Sequence, residues 1–304
     1  MVNLKKSEKI SVLRGGISEE KEISILTANQ VYKTLQKKYD TILIDVDHDC
    51  NKLIKNLIKS KPDKVFNCLH GIFGEDGQLQ SILNYLKIPY THSGVLASSI
   101  AMNKVVSKYF YKALGIRFPQ NYDINSKFTN SSYPFIVKPI CGGSSKNLLK
   151  IENQKQLNDF KNSGIDELHK YMLEEFIDGR EITVGILDNK ICGIMEIIFE
   201  SEIYDFKNKY QVIAKHVLDP KLPDNVKQKL RDISLKIHKA LNCKCISRLD
   251  FRYNTKSEEL FLLEINTQPG LTQNSLLPEM ARSKGTEFLE LCEILLSYAE
   301  CEFL

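Results

Sequence analysis

The sequence predicts a mixed α/β and α+β protein: a parallel-sheet α/β domain at the N-terminus, a central domain, and a mostly antiparallel C-terminal domain. Two patterns point to it. Short β-rich runs alternate with helical patterns at the start of the chain, the signature of a parallel sheet covered by helices. After Pro119 the β-rich runs follow one another with turns between them and a single intervening helix, which favours antiparallel pairing. The 304 residues also exceed what one core comfortably encloses, so two or three packed modules are expected.

Each element has its own signal. Residues 9–13 read as a strand that ends at the turn pair Gly15 and Gly16. Ser18 then stands as a helix cap, Glu19 and Glu20 favour the positive end of a helix dipole, and Ile23, Leu26, Val31 and Leu35 form one apolar stripe. Residues 41–46 and 64–69 supply two more strands. A helix is expected over 97–114, stopped by Gly115 and Pro119. Strands follow at 134–138, 147–151, 171–176, 182–187 and 190–199, then a helix at 222–241. A hairpin of 245–253 and 259–265 closes the series around a loop at 254–258.

Composition narrows the function. Forty-two basic and 38 acidic residues leave a net charge of +4, and the two signs alternate along the chain, so charge does not suggest nucleic acid. No apolar stretch near the start has signal-peptide length, and 191–199 is too short to span a bilayer. A cytoplasmic protein without a membrane partner is expected. Eight cysteines without a C-x-x-C pair read as reduced, mostly buried thiols, and Cys243 and Cys245 lack the second ligand pair that a tetrahedral metal site needs.

The hairpin is the most informative segment because its residues alternate by chemistry. With a loop at 254–258, Tyr253 would face Glu259 and Arg248 would face Glu264. Arg248, Asp250, Glu264 and Asn266 then project from one face, while Leu249, Phe251, Phe261, Leu263 and Ile265 occupy the other. Leu262 is left as the one apolar residue on the polar side. Two carboxylates and an amide beside an arginine suit a hard cation that also binds phosphate oxygens; a solvated face with a cross-strand ion pair is the alternative. Residues 266–272 form a polar, glycine-containing loop with Ser275 shortly after it, where free N–H groups can bind a carboxylate or an oxyanion.

Three further segments carry weaker signals. Gly142-Gly143-Ser144-Ser145 follows the strand carrying Lys138, and small residues let backbone amides approach a phosphate that Lys138 can neutralise; a plain turn is the alternative. His70-Gly71-Ile72-Phe73-Gly74-Glu75-Asp76-Gly77 leaves a parallel strand at its carboxyl end, where open α/β sheets bind ligands, or else forms a tight turn capped by histidine. Ser18-Glu19-Glu20 sits at the corresponding end of the first strand, with helix capping as its simplest role.

Together these motifs resemble the D-alanine–D-alanine ligase family of the ATP-grasp fold. The likeness runs through Gly15-Gly16-x-Ser18-x-Glu20, the His70 to Gly77 segment, Gly94-Val95-Leu96-Ala97-Ser98, Met102-x-Lys104, Val137-Lys138-Pro139, Gly143-Ser144-Ser145, Gly179-Arg180-Glu181, Lys209-Tyr210, Arg248-x-Asp250, Glu264-x-Asn266-Thr267-x-Pro269-Gly270 and Ser275-Leu276. It departs from the family at Lys146-Asn147, where a small apolar residue and glycine are usual.

The resemblance implies three units, 1–93, 94–177 and 178–304, with a mobile loop at about 200–216. It also implies a reaction in which ATP phosphorylates one D-alanine and a second D-alanine displaces the phosphate, giving the dipeptide of peptidoglycan precursors. Lys104, Lys138, Ser144, Ser145 and Lys209 would then meet the ATP phosphates, Glu174, Glu175, Phe176 and Ile177 the adenine, and Glu181 the ribose. Asp250, Glu264 and Asn266 would hold magnesium, with manganese as an alternative. Glu20 and His70 would receive the first D-alanine, and Ser275 and Leu276 the second. Arg248 and the Gly270 amide would stabilise the oxyanion, and Glu20, Ser144 and Tyr210 would link the mobile loop to the site. A homodimer is the family's expected assembly. A D-lactate- or D-serine-using ligase and a catalytically inactive nucleotide-binding protein are the alternatives.

Overall fold

Residues 7–143, 147–163, 168–199, 214–272 and 275–302 are described by the computed structural model, and among them the strands form three sheets. β1 (Lys9–Gly15) lies between β2 (Asp40–Val46) and β3 (Lys64–Asn67), all parallel, as the alternating pattern predicted. α1 (Lys21–Leu35) covers one side of this sheet, while α2 (Cys50–Ser60) and α3 (Gln78–Tyr85) contribute Leu53, Leu57, Leu79 and Leu83 to the core on the other. Each layer follows from an apolar stripe with nowhere else to be buried.

The remaining strands pair antiparallel. β4 (Asn121–Tyr122), β5 (Phe135–Pro139), β6 (Leu149–Ile151) and β7 (Tyr171–Glu175) form a four-stranded sheet in the order β4-β7-β5-β6, backed by α6 (Gln154–Lys161) through Leu157 and Phe160. β8 (Arg180–Leu187), β9 (Lys190–Ile198), β10 (Lys215–Leu218), β11 (Ser247–Asn254) and β12 (Glu259–Asn266) form a five-stranded sheet in the order β10-β9-β8-β11-β12. One side of it packs on α7 (Asp224–Ala240) through Val226, Leu230 and Ile237. On the other side, α8 (Leu276–Ser283) and α9 (Phe288–Ser297) share a core with both this sheet and the parallel one. Five of the eight cysteines are buried and all are free thiols. Among the described residues, no helix is long and apolar enough to cross a membrane.

Three sequence expectations change. The single helix at 97–114 is two, α4 (Val95–Met102) and α5 (Lys104–Ala113). Asn103 leaves the helical region at ψ 100°, and its side chain accepts the N–H groups of Val105 and Val106. A fresh N-cap therefore restarts the helix with Lys104 as its first residue. Ser18 does not cap α1, which begins at Lys21; its hydroxyl accepts the Glu20 N–H at 3.2 Å and donates to the His70 carbonyl at 2.5 Å, tying the ends of two parallel strands together.

The hairpin register also differs. Asn254 pairs with Glu259, because its side chain accepts the N–H groups of Lys256 and Ser257 and shortens the turn by one residue. A bulge between Asp250 and Phe251 then skips Leu263, so that Asp250 faces Glu264 and Arg248 faces Asn266. The run Phe261-Leu262-Leu263 breaks strict alternation, and the bulge reconciles it with both faces. Leu262 joins the core opposite Phe251 rather than lying on the polar side, Phe261 stands opposite Arg252, and Leu263 turns into the central cavity.

Candidate active site

A cavity of about 700 Å³ opens between the four- and five-stranded sheets and reaches the carboxyl end of β1. That volume lies within the range of small-molecule sites. Glu20, Lys104, Lys138, Glu174, Glu175, Phe176, Ile177, Glu181, Arg248, Asp250, Glu264 and Leu276 all line it. His70, Asn266, Gly270 and Ser275 are not among the residues that line it. Ser144, Ser145, Lys146, Lys209, Tyr210 and most of the 200–216 loop lie outside the described residues.

The hairpin supplies the floor. Arg248 and Asp250 point the same way because they are two apart on β11, and the guanidinium grips the carboxylate with two bonds of 2.9 and 2.7 Å. Thr183, opposite Asp250 on β8, donates to the same carboxylate at 2.6 Å, and the Asn266 amide approaches it at 3.2 Å. Glu264 is more open, with the Lys104 ammonium 3.7 Å away. Burial depresses the Lys104 ammonium, against the opposing pull of Glu264. Hard oxygen donors from Asp250, Glu264 and Asn266 therefore share one face, a donor set that fits a divalent magnesium-like cation.

A second wall of the cavity is basic. Lys104 donates to the Gly142 carbonyl at 2.7 Å, which fixes the start of the glycine segment beside the cavity. Lys138, on β5, reaches Glu174 of the neighbouring β7 at 2.5 Å. Asn147 sits at φ +58°, in the left-handed region, which asparagine enters more readily than most residues.

At the opposite end, the Glu20 carboxylate lies against Gly71 and Gly143; a Cβ on either would come within 3.1 Å of it. Gly71 also has φ +71°. His70 is held from both sides, with Nδ1 2.9 Å from Glu75 and Nε2 3.3 Å from the Thr27 hydroxyl. Burial raises the Glu75 carboxyl, opposed by His70. Ser275 is engaged by Thr272, whose N–H donates to the Ser275 oxygen at 3.0 Å, and a Cβ on Gly270 would touch that oxygen at the same distance. Gln268 joins the two ends: Asn67 donates to it at 2.8 Å, and its amide donates to the Leu69 carbonyl.

Sequence reasoning missed Thr183, Gln268, Leu263 and Lys108. A signal existed for Lys108, which lies one turn after Lys104 on the same buried face of α5 as Ser107 and Tyr111. Thr183 and Gln268 matter through contacts distant in sequence, which no local pattern announces.

Two antiparallel sheets closing on a cavity lined by lysines and carboxylates, with a parallel α/β sheet at one end, make this an ATP-grasp protein. The family model described as D-ala D-ala ligase C-terminus matches residues 96–297. A D-alanine–D-alanine ligase of Wolbachia pipientis wMel is 40% identical over 295 residues, covering 94% of this chain and 93% of the relative. One of Pelagibacter ubique is 41% identical, covering 96% and 98%. A crystal structure of the Bacillus anthracis D-alanine–D-alanine ligase complexed with ATP superposes with a TM-score of 0.82 at 29% identity, covering 96% of this chain and 97% of that one. The chain belongs to the D-alanine–D-alanine ligase family.

Proposed function

We propose that the protein is an ADP-forming ligase that joins two D-alanines through a D-alanyl phosphate. The observation that carries this reading is the hairpin face, on which Arg248, Asp250 and Glu264, with Asn266 bonded to Asp250, form the floor of a cavity whose wall holds Lys104 and Lys138. Family membership supplies the substrates. Asp250, Glu264 and Asn266 would hold magnesium, or manganese in its place, whose charge lets the triphosphate and a substrate carboxylate approach each other.

In this reading Glu174, Glu175, Phe176 and Ile177 receive the adenine, Glu181 receives the ribose, and Lys104, Lys138, Ser144, Ser145 and Lys209 receive the phosphates. Glu20 binds the ammonium of the first D-alanine, with His70, ordered by Glu75 and Thr27, near its carboxylate. A carboxylate oxygen attacks the γ-phosphorus and ADP departs. Ser275 and Leu276 hold the second D-alanine, whose amine attacks the acyl carbon. Arg248 and the Gly270 N–H bind the oxyanion of the tetrahedral intermediate, which expels phosphate together with the oxygen that carried it. Glu20, Ser144 and Tyr210 would supply the hydrogen-bonded link that keeps water from the acyl phosphate.

On this reading the unit 1–93 would hold the first D-alanine, and the units 94–177 and 178–304 the nucleotide. Family membership also supports a cytoplasmic homodimer that feeds peptidoglycan synthesis. The test supplies ATP and magnesium with D-alanine, L-alanine, D-serine or D-lactate and measures phosphate and product. Phosphate release with D-alanine, dipeptide in equal amount, and little turnover with the others are expected; equal turnover with L-alanine would remove the reading.

A further inference from the structure

Behind the nucleotide wall lies a buried ammonium, that of Lys108, which the reaction scheme leaves unused. Lys108 on α5 is almost wholly enclosed, and its ammonium donates to the Pro119 carbonyl at 2.7 Å, to Asn121 at 2.5 Å and to one oxygen of Glu174 at 2.7 Å. The other oxygen of Glu174 meets Lys138 at 2.5 Å. Three ammonium hydrogens and three acceptors leave Lys108 no capacity to touch a ligand. Lys138 and Glu174 line the cavity; Lys108 does not.

Charge counting shows what Lys108 adds. Lys138 and Glu174 alone would cancel, and a neutral pair offers little to a polyanion. Burial pushes the Lys108 ammonium down to about 8, opposed by Glu174, so it remains mostly protonated near neutral pH. Burial would raise the Glu174 carboxyl, but Lys138 and Lys108 hold it below its ordinary value and keep it ionised. The cluster therefore carries one net positive charge behind the cavity wall, in a setting where screening is weak.

We propose that Lys108 is a positioning residue of the nucleotide site: it neutralises Glu174 from behind and thereby leaves the Lys138 ammonium available to the phosphates. This deepens the ligase reading and rests on it. Lys108 sets how strongly phosphate is held, and with Glu174 left in place its loss falls mainly on ligands that carry phosphate.

Full-length protein is titrated with ADP and with adenosine, with magnesium present, for the wild type, Lys108→Met, and Lys108→Arg, which keeps the charge. Lys108→Met is expected to weaken ADP by about tenfold or more, the scale of one charge-assisted contact, while adenosine stays within about twofold. Lys108→Arg retains the positive charge and is expected to keep most of the ADP affinity. Equal weakening of ADP and adenosine, or unchanged ADP binding in folded Lys108→Met, overturns the proposal. Should Lys108→Met fail to fold, Lys108→Gln, which also removes the charge, takes its place with the same expected and overturning results. If the wild type binds neither ligand, the ligase reading itself has failed, and that result is distinct from a failure of Lys108.

Discussion

Glu264→Gln is expected to lower kcat by about a thousandfold while leaving the melting temperature nearly unchanged. The two effects separate because of where Glu264 stands. Its side chain is 29% exposed and its ion pair with Lys104 spans 3.7 Å, so little folding energy rests on it. Glutamine keeps the shape and removes the charge that, opposite Asp250, completes the oxygen donor set. Losing it leaves phosphate and substrate carboxylate less well neutralised as they come together. Steady-state kinetics and a thermal melt on one preparation check this, and wild-type turnover would remove Glu264 from the cation site.

Arg248→Lys is expected to lower kcat by about a hundredfold and also to lower the melting temperature. Lysine keeps the charge but not the planar fork, and Arg248 uses that fork on Asp250 through two bonds. The loss in rate reflects a missing donor at the developing oxyanion, on the scale seen when one such donor is removed. The loss in stability reflects the buried Asp250 carboxylate, which would keep Thr183 and the Asn266 amide but lose its bidentate partner. A fall in stability with wild-type kcat would confine Arg248 to holding Asp250.

How these residues were legible differs from case to case. The hairpin face could be read because a period of two places Arg248, Asp250, Glu264 and Asn266 together even when the register is misjudged. The pairing itself could not, since it depended on Asn254 closing a shorter turn and on a bulge at Leu263. The break at Asn103 hid inside an apolar helical pattern, because an asparagine in such a run reads as helix until its side chain is seen capping Val105 and Val106. The capping role expected of Ser18 gave way to a bond with His70, 52 residues away, and the Gln268 link spans 201 residues to Asn67. Contacts of that span depend on how the sheets meet, which local propensity does not encode.

The path of one oxygen atom separates ligation from hydrolysis. In the proposed reaction a carboxylate oxygen of the first D-alanine becomes bonded to the transferred phosphorus and leaves with it when the second amine attacks. D-alanine labelled with ¹⁸O in its carboxylate, incubated with ATP, magnesium and the protein, should yield inorganic phosphate carrying one ¹⁸O for each dipeptide formed. Phosphate without the label, with its new oxygen drawn from water, would mean that ATP is merely hydrolysed and would contradict the account.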